Sequence, residues 1–107
     1  NYEFLKLVEL FPEVNFVGAH MGGSRYFEEL LEGKDLKNLY VDSSLQPASS
    51  IERYIEEFGV DRVLYGSDWP WGYQAPTFRA TKLACHGDVD LENKIFYQNA
   101  KKLLNLE

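Results

Sequence analysis

Three residues of this sequence combine suitable chemistry with suggestive placement: His20, Asp42 and Asp68. An imidazole and two carboxylates bind borderline divalent metals such as zinc, and they move protons near neutral pH. Each stands at the end of a short apolar run or just beyond it. These runs are Asn15-Phe16-Val17-Gly18-Ala19, Asn38-Leu39-Tyr40-Val41 and Arg62-Val63-Leu64-Tyr65-Gly66. If the runs are parallel strands, their C-terminal ends share one rim, where α/β sheets and β/α barrels build active sites. Each residue also has a structural reading. His20 serves equally well as a loop histidine satisfied by backbone groups. Asp42, ahead of Ser43-Ser44, reads first as a turn cap, and Asp68, ahead of Trp69-Pro70, also suits an Asx-turn.

Trp69, Trp71 and Tyr73 crowd the loop that leaves the same rim. The expectation is a pocket wall for a small aromatic or apolar substrate, the alternative being a cover for the sheet edge. Gly22-Gly23 marks a tight loop and not a phosphate loop, because no GxxxxGK[ST] pattern is present. His86 precedes Gly87 at an expected helix end, where a capping role outweighs a ligand role. Cys85 reads as a packed thiol and Asn99 as a helix residue bonded to a neighbouring loop. The glutamates at 28, 29, 32, 52, 56 and 57 read as solvated helix faces.

The elements that must position these groups follow from spacing. Helices are expected over 2–11, stopped by Pro12, over 25–31 with Gly33 as C-cap, over 48–58 stopped by Gly59, and over about 77–85. A last helix is expected over 91–104 with Asp90 as its cap. The strand starts at Asn15, Asn38 and Arg62 recur about every 23 residues, the period of parallel strands joined by helical crossovers. The strands do not alternate cleanly, which predicts a sheet covered on both faces.

Composition bounds the classes. The chain has 107 residues, 45% apolar and 26% charged, which suits one globular domain. Eleven basic against 17 acidic residues give a net charge of −6, so the footprint of a general nucleic-acid binder is missing. No apolar run approaches the roughly 20 residues of a membrane span. A lone cysteine fits a cytoplasmic protein. The only methionine, Met21, lies deep in the chain, which suggests a part of a longer protein.

Four segments, in order, resemble one family. Phe11-Pro12-Glu13 with Asn15-Phe16-Val17-Gly18-Ala19-His20-Met21-Gly22-Gly23 is similar to a segment of the amidohydrolase-related metal-dependent hydrolases. Asn38 to Ser44, Asp61 to Pro70, and Asn99-Ala100 before Lys102-Leu103-Leu104 are similar to the segments that follow. The resemblance implies a (β/α)₈ TIM barrel with a divalent metal, usually zinc, at its C-terminal rim. It implies hydrolysis of lactones or amides, or decarboxylation of aromatic and unsaturated acids. It makes Asp68 a metal ligand that also handles the metal-bound water. It makes His20 a contact to water or substrate, or a ligand to a second metal.

The family's H-x-H pair and a further histidine have no counterpart, because His20 and His86 are the only histidines. A full barrel also takes roughly 200 residues or more. The expectation is therefore a single partial domain over 1–107, the C-terminal three-strand portion of the barrel. Alone, such a chain is expected to be inactive and to associate with copies of itself or with the missing half. A stand-alone binding or assembly module is the reading from a different class. A flavodoxin-like domain without metal shares the period but does not explain His20 and Asp68 together.

Overall fold

The computed structural model describes residues 2–106. Three strands form one sheet: β1 (Phe16–Gly18), β2 (Leu39–Asp42) and β3 (Val63–Leu64). They lie in sequential order and all pair in parallel. Helix α1 (Glu3–Leu10) precedes the sheet, while α2 (Gly23–Leu31) and α3 (Ala48–Phe58) are the crossovers. After β3 come α4 (Gln74–Ala84) and α5 (Val89–Asn93), a π-helical stretch (Lys94–Gln98) and α6 (Asn99–Leu103). Among the described residues no helix is long and apolar enough to cross a membrane.

The register shows which face the helices cover. Phe16 pairs with Leu39, and Gly18 pairs with Val41, which pairs in turn with Val63. These side chains share one face, where Leu39, Val41 and Val63 pack with Val8, Leu30, Ile51, Tyr54 and Ile95. Gly18 belongs there because a Cβ would stand 2.7 Å from Leu30 Cδ2. The opposite face carries Val17, Tyr40 and Asp42. Val17 is exposed and Tyr40 and Asp42 are half-buried. Burial alternates along β2, but Leu64, which pairs with Asp42 on this opposite face, is buried, so the expectation of two covered faces fails at β1 and β2 and not at β3.

The base of the sheet is bound by side chains that reach backbone carbonyls. Asn38 donates to Val8 O at 3.0 Å, Phe11 O at 3.0 Å and Val14 O at 2.9 Å. Arg62 donates to Leu36 O at 2.6 Å, Leu39 O at 2.9 Å, Phe58 O at 3.2 Å and also Lys34 O. Its guanidinium lies over the Phe58 ring, 4.8 Å from the centroid. Asn99, buried, donates to Val60 O at 2.8 Å and Val63 O at 3.0 Å, the loop contact its sequence position predicts.

Three local expectations are corrected. Asp88, not Asp90, caps the last helical run: its carboxylate accepts from Leu91 N at 3.1 Å, which places Asp90 inside the first turn. Gly33 does not cap α2, which ends at Leu31; a Cβ there would stand 2.6 Å from Leu5 Cδ2 and 2.8 Å from Leu39 Cδ2, so those side chains would have to shift. The last run is not uniformly α-helical, and within its π-helical stretch Ile95 O accepts from Tyr65 N at 3.0 Å, tying the run to the end of β3. Cys85 is buried, and burial pushes its thiol up to about 11, as a packed thiol requires.

Candidate active site at the strand ends

His20 follows β1 through a single 3₁₀ turn, Ala19–Gly22. The chain reverses so sharply that His20 (φ 56°) and Met21 (φ 52°) are both left-handed, followed by Gly22 (φ 82°) and Gly23 (φ 63°). For a non-glycine residue that conformation costs about 1–2 kcal/mol, so neighbours must hold it. Tyr54 on α3 does so from below, its hydroxyl lying 3.2 Å from Met21 O and 2.7 Å from Phe27 O. The Tyr54 ring is buried in the core, and burial raises its phenol well above the ordinary range. From the sheet side, His20 N donates to Asp42 Oδ1 at 3.3 Å.

Asp42 fulfils the turn role its sequence context favours. Its Oδ1 accepts from Ser44 N at 2.9 Å and from Ser44 Oγ at 2.5 Å, besides the His20 amide. Ser44, buried, lies 2.8 Å from His20 Nδ1 through the same Oγ. Gly66 leaves room for this carboxylate, since a Cβ at 66 would stand 3.3 Å from Asp42 Oδ1.

Asp68 enters from the loop after β3, also left-handed (φ 58°). The loop is closed by Gly72 N on Asp68 O at 2.8 Å and by Trp69 N on Ser67 Oγ at 3.4 Å. The Asp68 carboxylate instead faces His20, with Oδ2 3.9 Å from Nε2 and side chains 30% and 34% exposed. The rim thus brings His20 and Asp68 together and supports His20 with Asp42. His86 lies beyond the end of α4 and pairs with Glu52 on α3 at 3.4 Å, away from the rim pair.

Trp69 and Trp71 leave the same loop but are 69% and 83% exposed. They line none of the cavities described here. A cavity of about 490 Å³ adjoins His20, lined by Ser24, Phe27, Leu45, Gln46 and Ser50 among others. A larger one of about 660 Å³ lies along α4 against Phe78, Leu83 and His86, outside the site. Sequence reasoning missed Ser44, Tyr54 and Gly66 as supports of the rim. Only the Ser43-Ser44 pair after Asp42 carried any signal.

The resemblance implies a divalent metal at this rim. Asp68 Oδ2 and His20 Nε2 are oxygen and nitrogen donors of the kind zinc takes, partly exposed and facing a common space. They fit as two ligands. Among the described residues no group of three or more His, Cys, Asp or Glu side chains stands together, whereas a catalytic zinc uses three protein ligands.

No curated protein matches the chain in sequence. Among solved structures, amidohydrolase 2 from Bifidobacterium longum subsp. infantis superposes with a TM-score of 0.73 at 22% identity, over 97% of this chain and 45% of its own. An amidohydrolase from Burkholderia multivorans gives 0.76 at 15% identity, over 96% of this chain and 48% of its own. The 5-carboxyvanillate decarboxylase of Sphingomonas paucimobilis gives 0.71 at 18% identity, over 94% and 36%. The chain therefore spans less than half the length of these relatives. Its parallel β/α units are a three-strand portion of their TIM barrel. The amidohydrolase family model matches residues 2–106, nearly the whole sequence, and the chain belongs to the amidohydrolase family.

Proposed function

We propose that this chain forms part of a metal-dependent hydrolase acting on lactones or amides. Asp68 is a metal ligand, and His20 contacts the attacking water or the substrate. The observation that carries this reading is the convergence of Asp68 Oδ2 and His20 Nε2 to 3.9 Å from two separate strand ends. When bound, a divalent cation lowers the pKa of a water and polarises a carbonyl. His20 then supplies a base or hydrogen-bond partner beside it, and Trp69 and Trp71 flank the substrate from the same rim. Zinc is the expected metal for mixed nitrogen and oxygen donors. The lone buried Cys85 fits a cytoplasmic setting. With two ligands, the chain needs the rest of a barrel to work, and its partly uncovered sheet face and open edges favour association.

The fold is shared with 5-carboxyvanillate decarboxylase, so decarboxylation of an aromatic acid is the second reading. The test assays the intact protein on lactones, amides and aromatic acids, with Asp68→Asn and His20→Gln alongside. Hydrolysis that falls about 10²-fold or more in each variant is expected. Release of carbon dioxide with the same dependence would select the second reading. Activity indifferent to both substitutions would remove the site.

A further inference from the structure

The hydrogen bonds on the far side of His20 determine which ring nitrogen is free. Ser44 Oγ stands 2.5 Å from Asp42 Oδ1 and 2.8 Å from His20 Nδ1. A carboxylate oxygen only accepts, and a hydroxyl has one proton to give. The Ser44 proton therefore goes to Asp42, leaving the hydroxyl a lone pair toward the ring. His20 Nδ1 must then carry the ring proton, because two lone pairs would otherwise meet at hydrogen-bond distance. The neutral ring's remaining lone pair is on Nε2, the atom that faces Asp68 Oδ2 across 3.9 Å.

Without this arrangement the ring has no reason to hold its proton on Nδ1, since a solvated neutral imidazole favours the proton on Nε2. An Nε2–H would point a proton at Asp68 and remove the lone pair needed to accept a proton or a cation. The same Asp42 oxygen also takes the amide of His20, fixing backbone and ring with one group. Ser44 is buried, so water does not compete for its hydroxyl.

We infer that Asp42 and Ser44 are positioning residues that hold His20 as the Nδ1–H tautomer and keep its Nε2 lone pair turned toward Asp68. This deepens the proposed function and rests on it only for the claim that His20 acts through Nε2.

The experiment is nitrogen-15 NMR of the histidine side chains in the intact protein at about pH 8, above the ordinary imidazole range. His20 is assigned by its loss in His20→Gln, and exposed His86 serves as the internal reference. Wild type is expected to show His20 protonated at Nδ1. Ser44→Ala should move the population toward Nε2–H, and Ser44→Thr, which keeps the hydroxyl, should leave Nδ1 protonated. An Nε2–H tautomer in wild type overturns the inference and requires no Ser44 variant to fold. An unchanged tautomer in a folded Ser44→Ala overturns it as well. Turnover is read separately: Ser44→Ala should lower kcat about 10–100-fold with little change in KM. If the tautomer is as inferred while His20→Gln turns over normally, the positioning stands and the catalytic reading of His20 fails.

Discussion

At the N-terminal end of the sheet, Asn38, Arg62 and Asn99 donate to backbone carbonyl oxygens of the helices, strands and loops around them. At the C-terminal end, His20, Asp42 and Asp68 face one another or each other's loops, on backbone that is left-handed at His20, Met21 and Asp68. The base is a set of long polar side chains whose partners are all backbone. The rim has two ionisable groups directed at a shared, partly exposed space. Left-handed non-glycine residues cost free energy and persist where neighbours over-determine them. The difference separates an end whose polar groups stabilise from an end whose polar groups are available for chemistry, the division expected of β/α barrel strands.

Substitutions at the two ends should differ in their effects. The largest stability effect is expected from Arg62→Ala, which removes a guanidinium from four carbonyls and from the face of Phe58. A loss of about 2–4 kcal/mol is expected in urea unfolding, because charged hydrogen bonds and the carbonyls they leave behind both count. The His20 NMR signature of the folded fraction should not change. Tyr54→Phe should cost less, about 1–3 kcal/mol, as the one hydroxyl proton shared between Phe27 O at 2.7 Å and Met21 O at 3.2 Å is lost. This variant should also disturb His20, since Tyr54 holds the residue after it. Asp68→Asn should be the mildest, within about 0.5 kcal/mol, because asparagine tolerates the left-handed backbone and no stabilising bond to the carboxylate is lost. A reversed order, with Asp68→Asn most damaging and Arg62→Ala neutral, would erase the distinction between the ends.

Much of the rim was legible in the sequence because a strand end is a place that spacing alone can find. Three apolar runs about 23 residues apart put His20, Asp42 and Asp68 at or just past successive strand ends. The 48–58 helix was equally legible, bounded by Pro47 and by Gly59, whose φ of 87° suits glycine. What escaped depends on contacts remote in sequence. Ser44 reaches His20 across 24 residues, and only because the chain turns left-handed at His20. Arg62 looks like a charge flanking a strand, and nothing local reveals that four carbonyls converge on it. Asp88 and Asp90 are equally good caps by type, so the choice between them fell to where the helix starts. The open face at β1 and β2 is not legible because three short strands offer too few positions to show alternation, which the register makes plain.

Central to the proposed function is that Asp68 is a metal ligand, with His20 beside it, in a site that this chain fills only in part. It is tested most directly by titrating zinc into the 107-residue chain by calorimetry, with metal content measured after dialysis. Two ligands leave a zinc ion largely hydrated. Weak binding, lost on dialysis and abolished by Asp68→Asn, is expected. Half a metal per chain with the same dependence would mean that two copies share the ion. Tight stoichiometric binding that survives this substitution, or none detectable at any zinc concentration, would contradict the account.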